Sequence, residues 1–442
     1  MQHTSIIWFR NDLRLHDNEA IIEAVAKSKF IIPVYVFDER LFFGKTKFGF
    51  DKCGHFRSKF ILESVNNLRE QLRDKGSDLI VRVGIPENEI FKIAKEFKTS
   101  WVFCNRERTH EEVKVQDALE KKLWTIGQEM RYVRGKMLYH TADLPFPICQ
   151  VPEVFSNFRK EIENIVSVRE PYPSPEVLTP IPNNIDIGEL PDMKFFNESS
   201  GDIFHPEAQR FHGGESSALA QLNLYLWESN NIANYKNTRN ELLGWDFSSK
   251  LSAWLAIGCI SPKYIYQQIK LYEKLVVKNE STYWLYFELL WRDFFRLMAK
   301  KHGNNIFKPA GLRGGNINLN NDKDYFLKWA SGTTGVPFVD ANMIQLNNTG
   351  YISNRGRQIV ASYLINDLKV NWLMGAEYFE SMLIDYDPCS NYGNWLYIAG
   401  LGNDPKEDRY FNISTQEKKY DPDGKFIQYW LKQSSKDELI WA

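Results

Sequence analysis

Apolar residues in the first third of this chain come as short runs set between longer amphipathic stretches. The runs are Ser5–Phe9, Phe30–Phe37, Leu79–Val83, Trp101–Cys104 and Arg131–Val133. Between them, Asn18–Lys27, His55–Lys75, Glu87–Phe97 and Glu111–Ile126 carry apolar residues at helical spacing. Asp17 is placed to cap the first helix and Gly76 to stop the second. Strands that alternate with helices are joined by right-handed crossovers. Residues 1–135 are therefore expected to form an α/β domain with a doubly wound parallel sheet. Such a sheet takes its ligands at the carboxyl ends of its strands.

The pattern then breaks. Pro171, Pro173, Pro175, Pro180, Pro182, Pro191 and Pro206 interrupt any period, and residues 136–206 read as an interdomain connector. From Gly213 onward strand signals vanish. Ser216–Trp227, Ser252–Cys259, Pro262–Leu275, Tyr283–Lys301, Val339–Thr349, Arg357–Leu368 and Gly375–Leu383 all show helical periodicity. Residues 207–442 are expected to be an all-α domain.

Composition narrows the classes. A chain of 442 residues is longer than one core usually holds, which agrees with two domains. Aromatic residues make up 14%, with 13 Trp and 21 Tyr, an excess that calls for a large core, a stacking site or both. The net charge of −1 gives no global field for a polyanion, though 55 Lys and Arg leave room for a local basic groove. Five scattered cysteines without a CxxC pair argue against a zinc site or a disulfide framework and for a reducing compartment. The start lacks the marks of a secretory signal, and no apolar run reaches the length of a membrane span. An intracellular, cytoplasmic protein is expected.

Several segments carry chemistry. Ile384-Asp-Tyr-Asp-Pro-Cys-Ser-Asn-Tyr-Gly-Asn-Trp-Leu-Tyr397 packs two acids, two amides and oxidisable aromatics into what reads as a turn-rich stretch between helices. Asn354-Arg-Gly-Arg-Gln358 lies upstream, so a buried, charge-paired polar site is expected here. Phe247-Ser-Ser-Lys-Leu-Ser252, after Tyr235-Lys-Asn-Thr-Arg239, offers hydroxyls and an ammonium to a phosphate at a helix start, or merely caps that helix. Glu288 and Arg292 are one helical turn apart, which fits a surface ion pair. With Trp291 they also fit a cavity in which a base stacks on the indole. Trp8–Asn18 is a charged loop after the first strand, where a doubly wound sheet binds its ligand. Neither a GxGxxG nor a GxxxxGK[ST] motif is present.

Taken in order, WFRNDLRLHDN, GGESSALAQL, NTRNELLGWDFSSKLSAWLAIGCISP, ELLWRDFFR, TGVPFVDANM, NRGRQIVASYL and IDYDPCSNYGNW resemble the photolyase/cryptochrome flavoproteins almost from end to end. Within that family the chain looks most like the DASH type, which is similar to photolyases acting on single-stranded DNA. Gln358 stands where dimer photolyases usually carry Met, and Tyr397 where they usually carry a second Trp. Tyrosine keeps a smaller stacking surface, which suits an unpaired substrate that avoids the cost of extrusion from a duplex.

The resemblance implies an α-helical domain that holds FAD, with Tyr235, Ser248, Ser249, Lys250, Leu251 and Ser252 on its phosphates and ribityl chain. Glu288 and Arg292 also belong to the implied cofactor set. Arg357 and Asp385 are implied as a salt bridge beside the flavin ring, Asp387 at its edge and Asn391 at its N5. Glu288, Trp291, Asn354 and Tyr397 are implied to line a pocket for a pyrimidine dimer. Arg239, Arg292, Arg355 and Gln416 are implied to meet the DNA strand, with Trp291, Asn354 and Tyr397 beside them.

Trp395 and Trp372 match the first two members of the family's electron-donor chain, and Leu319 stands at the third. Leucine cannot serve, so Trp329 or Tyr325 is expected to take over. Asn105-Arg-Glu107 resembles the segment that meets a methenyltetrahydrofolate antenna, with Glu107 on the pterin. The expected activity is light-driven repair of cyclobutane pyrimidine dimers by a monomer acting on DNA, without a metal. The rival expectation is a blue-light receptor that binds FAD and nucleic acid without repair. Signalling members usually carry a long extension, for which little length remains after Phe426–Leu431.

Overall fold

A computed structural model describes residues 3–196, 205–314, 320–403 and 410–434. Leu319, expected at the third donor position, lies outside them. Five parallel strands, β1 (Thr4–Phe9), β2 (Phe30–Asp38), β3 (Ile80–Gly84), β4 (Trp101–Asn105) and β5 (Glu129–Val133), form one sheet in the order β3-β2-β1-β4-β5. The strand direction of travel reverses between β1 and β4, which puts the crevice of a doubly wound sheet above that pair.

Strand side chains alternate between two cores. Ile6, Trp8, Val34, Val36, Ile80, Val102 and Cys104 pack with Ile90, Ile93, Leu119 and Leu123 of the helices Pro86–Glu96 and His110–Trp124. Ile7, Phe9, Tyr35, Phe37, Val81 and Phe103 face the helices Glu19–Lys27 and His55–Asp74. That second core continues without a break into Leu255, Ile260, Leu290 and Phe294 of the helical half. The two halves therefore meet across buried apolar surface, and their contact defines a fixed seam.

Asp17 does not cap the first helix. Asn18 does, its side chain accepting from the backbone N–H of Ala20 and Ile21. Asp17 takes a left-handed conformation at φ +44 and pairs instead with Lys263 Nζ at 2.7 Å, a tie to the helical half. A helix stop follows at Gly76, where φ is +87. A helix over Phe155–Ile165 sits inside the proline-bounded stretch.

The helical half is built from Glu215–Asn223, Ser252–Ala256, Pro262–Leu275, Glu280–His302, Lys323–Ser331, Pro337–Thr349, Asn354–Ser362, Trp372–Met382, Pro388–Ile398, Ile413–Tyr420 and Lys425–Ser434, with short turns between. The acid-rich segment before Tyr397 is the main correction. Only its start is a turn, at Ile384 and Asp385: Asp387 then caps a helix over Pro388–Ile398, with Pro388 at its first position, where a missing N–H costs nothing.

Candidate functional site

Asp387 performs two tasks. One carboxylate oxygen accepts from Ser390 N at 2.8 Å as the helix cap, and the other accepts from Arg296 Nη1 at 2.6 Å. Burial pushes this carboxyl up, but Arg296 and then Arg292 outweigh it and hold it below its ordinary value. One turn along that helix, Asn391 donates to Ala376 O at 3.0 Å, which leaves its amide carbonyl for the pocket beside it. Asp385 accepts from Arg357 Nη2 at 2.8 Å. Its second oxygen is buried without a partner, as is Oε1 of Gln358. Asn354, Arg357, Asp385, Asp387, Asn391 and Trp395 line one cavity, so the structure gathers residues from two separate sequence segments.

Lys250 enters from the loop ahead of Ser252–Ala256. It holds φ +57, unusual for a residue with a side chain, and is 4% exposed. Its ammonium lies 3.4 Å from the Phe247 ring centroid and 4.8 Å from that of Tyr351, with no carboxylate paired to it among the described residues. Burial pushes this ammonium well down. A buried cation without an anion fits a phosphate, which favours the ligand reading of this loop over the plain cap. Ser249, Leu251 and Tyr235 are buried around it, Ser248 is half-buried and Ser252 exposed.

A second face gathers Glu288, Arg239, Trp291, Tyr397 and Arg355. Arg239 Nη1 is paired with Glu288, whose carboxyl is pushed up by burial despite that cation. Trp291 stacks on Phe155 at 3.7 Å between centroids and 12° between planes, and meets the edge of Tyr397 at 6.5 Å. Arg355 lies over Tyr420 at 4.8 Å and donates to Asn240 at 3.3 Å. Its Nε and Gln416 Oε1 are buried without partners. Arg292 does not join this face: it donates to the backbone oxygens of Lys136 at 2.9 Å and Leu255 at 3.2 Å, inside the seam.

Trp395 and Trp372 are both 2% exposed. Trp372 meets the edge of Tyr392 at 6.2 Å, whereas Trp395 contacts Phe379 at 5.1 Å and Trp329 at 6.3 Å. Trp329 is fully buried, so it is an inner neighbour of Trp395 and not a surface terminus; Tyr325, one turn before it, is half exposed. Gly375 makes room for Trp395, since a Cβ there would come within 2.2 Å of the indole. Glu107 sits 2% exposed in the seam, paired with Lys136.

Residues 5–176 match the family described as DNA photolyase, and residues 284–438 match the family described as FAD binding domain of DNA photolyase. Over 428 residues the chain is 48% identical to Cryptochrome DASH of Gloeobacter violaceus, covering 97% of this chain and 85% of that one. The chain belongs to the photolyase/cryptochrome family. It is most like the DASH-type cryptochromes within it. The crystal structure of a Synechocystis cryptochrome superposes with a TM-score of 0.94 at 46% identity, covering 98% of this chain and 90% of that one. An archaeal photolyase from Sulfolobus tokodaii, solved with two FAD molecules, superposes with a TM-score of 0.82 at 29% identity, covering 98% and 91%.

FAD fits the pocket that this family membership calls for. Lys250 awaits an anion, while the orphaned Asp385 and Gln358 oxygens await donors. The sequence reading missed three contributors. Arg296, which bridges toward both Asp387 and Glu107, was signalled only by its four-residue spacing from Arg292. Phe155, the backing for Trp291, lies far away in sequence, and Gly375 gives no signal of its own. Among the described residues no helix is long and apolar enough to cross a membrane, and no group of His, Cys, Asp and Glu is set to hold a metal ion.

Proposed function

We propose that this chain is a light-driven repair enzyme of the DASH type, which opens cyclobutane pyrimidine dimers in single-stranded or otherwise unpaired DNA. The observation that carries the reading is that Asn354, expected to face the dimer, lines the same cavity as Asp385, Asn391 and Trp395, expected to face the flavin. Substrate and cofactor would thus lie side by side. FAD, when bound, supplies the photoexcited electron that opens the dimer and then returns.

The chain's own residues bind and orient. Tyr235, Ser248, Ser249, Lys250, Leu251 and Ser252 hold the phosphates and ribityl chain, and Arg292 supports that loop through Leu255 O. Arg357 and Asp385 fix the ring, Asp387 stands at its edge, and Asn391 offers an acceptor at N5. Glu288 hydrogen-bonds the dimer and Trp291 stacks on it. Tyr397 presents a smaller surface than tryptophan, enough for a lesion already free of its stack. Arg239, Arg355 and Gln416 take the strand's phosphates and sugars. Trp395 supplies electrons to the cofactor, with Trp372 and Trp329 as two ways onward and Tyr325 as an exposed terminus. Glu107 Oε2, buried without a hydrogen-bond partner, accepts from the pterin of a folate antenna. The enzyme works inside the cell, where the DNA is, as a monomer.

Glu288 offers the sharpest local test. Glu288→Ala removes a half-buried, charged hydrogen-bond partner worth about 1.5–3 kcal/mol. The repair rate on dimer-bearing single strands should fall roughly ten- to a hundredfold, with the flavin absorbance of the purified protein unchanged. An unaltered rate would remove Glu288 from the dimer pocket.

A further inference from the structure

We propose that Glu380 and Tyr386 form a proton path from the protein surface to the flavin cavity, and deliver there the proton that FAD takes up when it is reduced. This role goes beyond the repair reading and rests only on FAD lying in that cavity.

The path is set by how the two halves close. Tyr386 lines the cavity beside Asp385, Asp387 and Asn391, in the loop that joins the helix Trp372–Met382 to the helix Pro388–Ile398. Its hydroxyl is hydrogen-bonded to the carboxyl of Glu380, which stands in the last turn of the first of these helices. The α/β half covers the pair from the other side. Gly54 N donates to Ser381 O at 3.1 Å, and a Cβ on Gly54 would come within 2.3 Å of that oxygen, so a side chain there would push the halves apart. Nearby, Arg57 lies over the Tyr386 ring at 4.6 Å. Lys52 faces Glu380 and pairs with Glu111 at 2.6 Å, and Glu111 is exposed. Polar groups therefore run from solvent through Glu111, Lys52 and Glu380 to Tyr386 and the cavity.

Each residue suits its step. Burial pushes the Glu380 carboxyl up, against Arg57, the bond from Tyr386 and Lys52, while Glu111 adds to the rise. Tyr392 faces it from the helix Pro388–Ile398 as a phenol that burial keeps protonated. A carboxyl so placed holds its proton closer to neutral pH than an exposed one, as a proton donor must. Burial also pushes the Tyr386 phenol well up, so it does not ionise. It takes a proton from Glu380 on its oxygen while releasing its own to the cavity, and Glu380 reloads from solvent past Lys52 and Glu111. Reduction of FAD takes up two electrons and one proton. Trp395 supplies the electrons, but the acids that line the cavity, Asp385 and Asp387, are each held by an arginine, and Asn391 and Asn394 carry amides. The proton has to come from behind the lining, and Tyr386 has a carboxyl at its back.

The test illuminates the FAD-loaded protein with a thiol reductant, reading electron arrival by flavin absorbance and proton uptake by a pH-indicator dye. Glu380→Gln and Tyr386→Phe should keep electron arrival within about twofold and slow proton uptake about a hundredfold, the usual worth of a placed acid. Glu380→Asp keeps the acid and should recover about tenfold of that loss. In the dark, infrared difference spectra between about pH 5 and pH 8 should show a titrating carboxyl band that Glu380→Gln removes. Proton uptake at the unsubstituted rate in either Glu380→Gln or Tyr386→Phe would overturn the proposal, as would a carboxyl band that survives Glu380→Gln. Flavin absorbance of the purified protein reports on the FAD reading separately.

Discussion

Replacing Trp395 with phenylalanine will abolish light-driven reduction of the bound flavin while leaving the protein folded and yellow. Trp395 lines the cavity and meets one further indole, Trp329, and one phenyl ring, Phe379. A benzene ring fills most of the same space, so the packing against Gly375 and Phe379 is kept and only modest stability is lost. It cannot be oxidised as an indole can, and both onward routes are severed at once. Trp329→Phe cuts only one of them and should lower the radical yield without removing it. Transient absorption after a flash separates these outcomes. A normal yield in Trp395→Phe would mean that electrons reach the flavin another way, and a normal yield in Trp329→Phe would close the inner branch.

Asp385→Asn should weaken FAD binding by roughly ten- to a hundredfold, the worth of about 1.5–3 kcal/mol for a hydrogen bond made to a charged group. The carboxylate is held by Arg357 at 2.8 Å and keeps a second oxygen buried and unpaired. An amide has nearly the same shape but leaves the Arg357 guanidinium uncompensated in a buried site, a costly state. Titration of the FAD-free protein with FAD measures the loss directly. An unchanged dissociation constant with an intact fold would move the flavin ring away from Asp385.

Much of this was legible in the sequence, for physical reasons that differ by region. The unbroken apolar runs of Ser5–Phe9 and Phe30–Phe37 were legible as strands because each strand is covered on both faces by helices, so both faces are apolar. The helix over Glu280–His302 was readable from Tyr283 to Lys301 because its apolar stripe is long; its start at the Asn279 cap was not. Pro388–Ile398 was misread because acids, Pro and Gly favour turns locally, whereas here Asp387 and Pro388 are helix-start residues. Asp17 and Asn18 compete for the same cap, and a contact with Lys263, far along the chain, decides it. The site's charges were visible as Arg357, Asp385 and Asp387, but their pairing was not. Arg296 chooses Asp387 because the helices cross, and Phe155 backs Trp291 because the connector folds over them. Local patterning cannot carry such long-range choices.

The measurement that bears most directly on the proposed repair reading is illumination of the reduced, FAD-loaded protein with dimer-bearing oligonucleotides, single-stranded and duplex, beside dark controls. Dimer loss should require light and be faster on the single strand, as expected when Tyr397 stacks on a lesion that costs little to expose. Light that leaves the dimers intact in both substrates would contradict it.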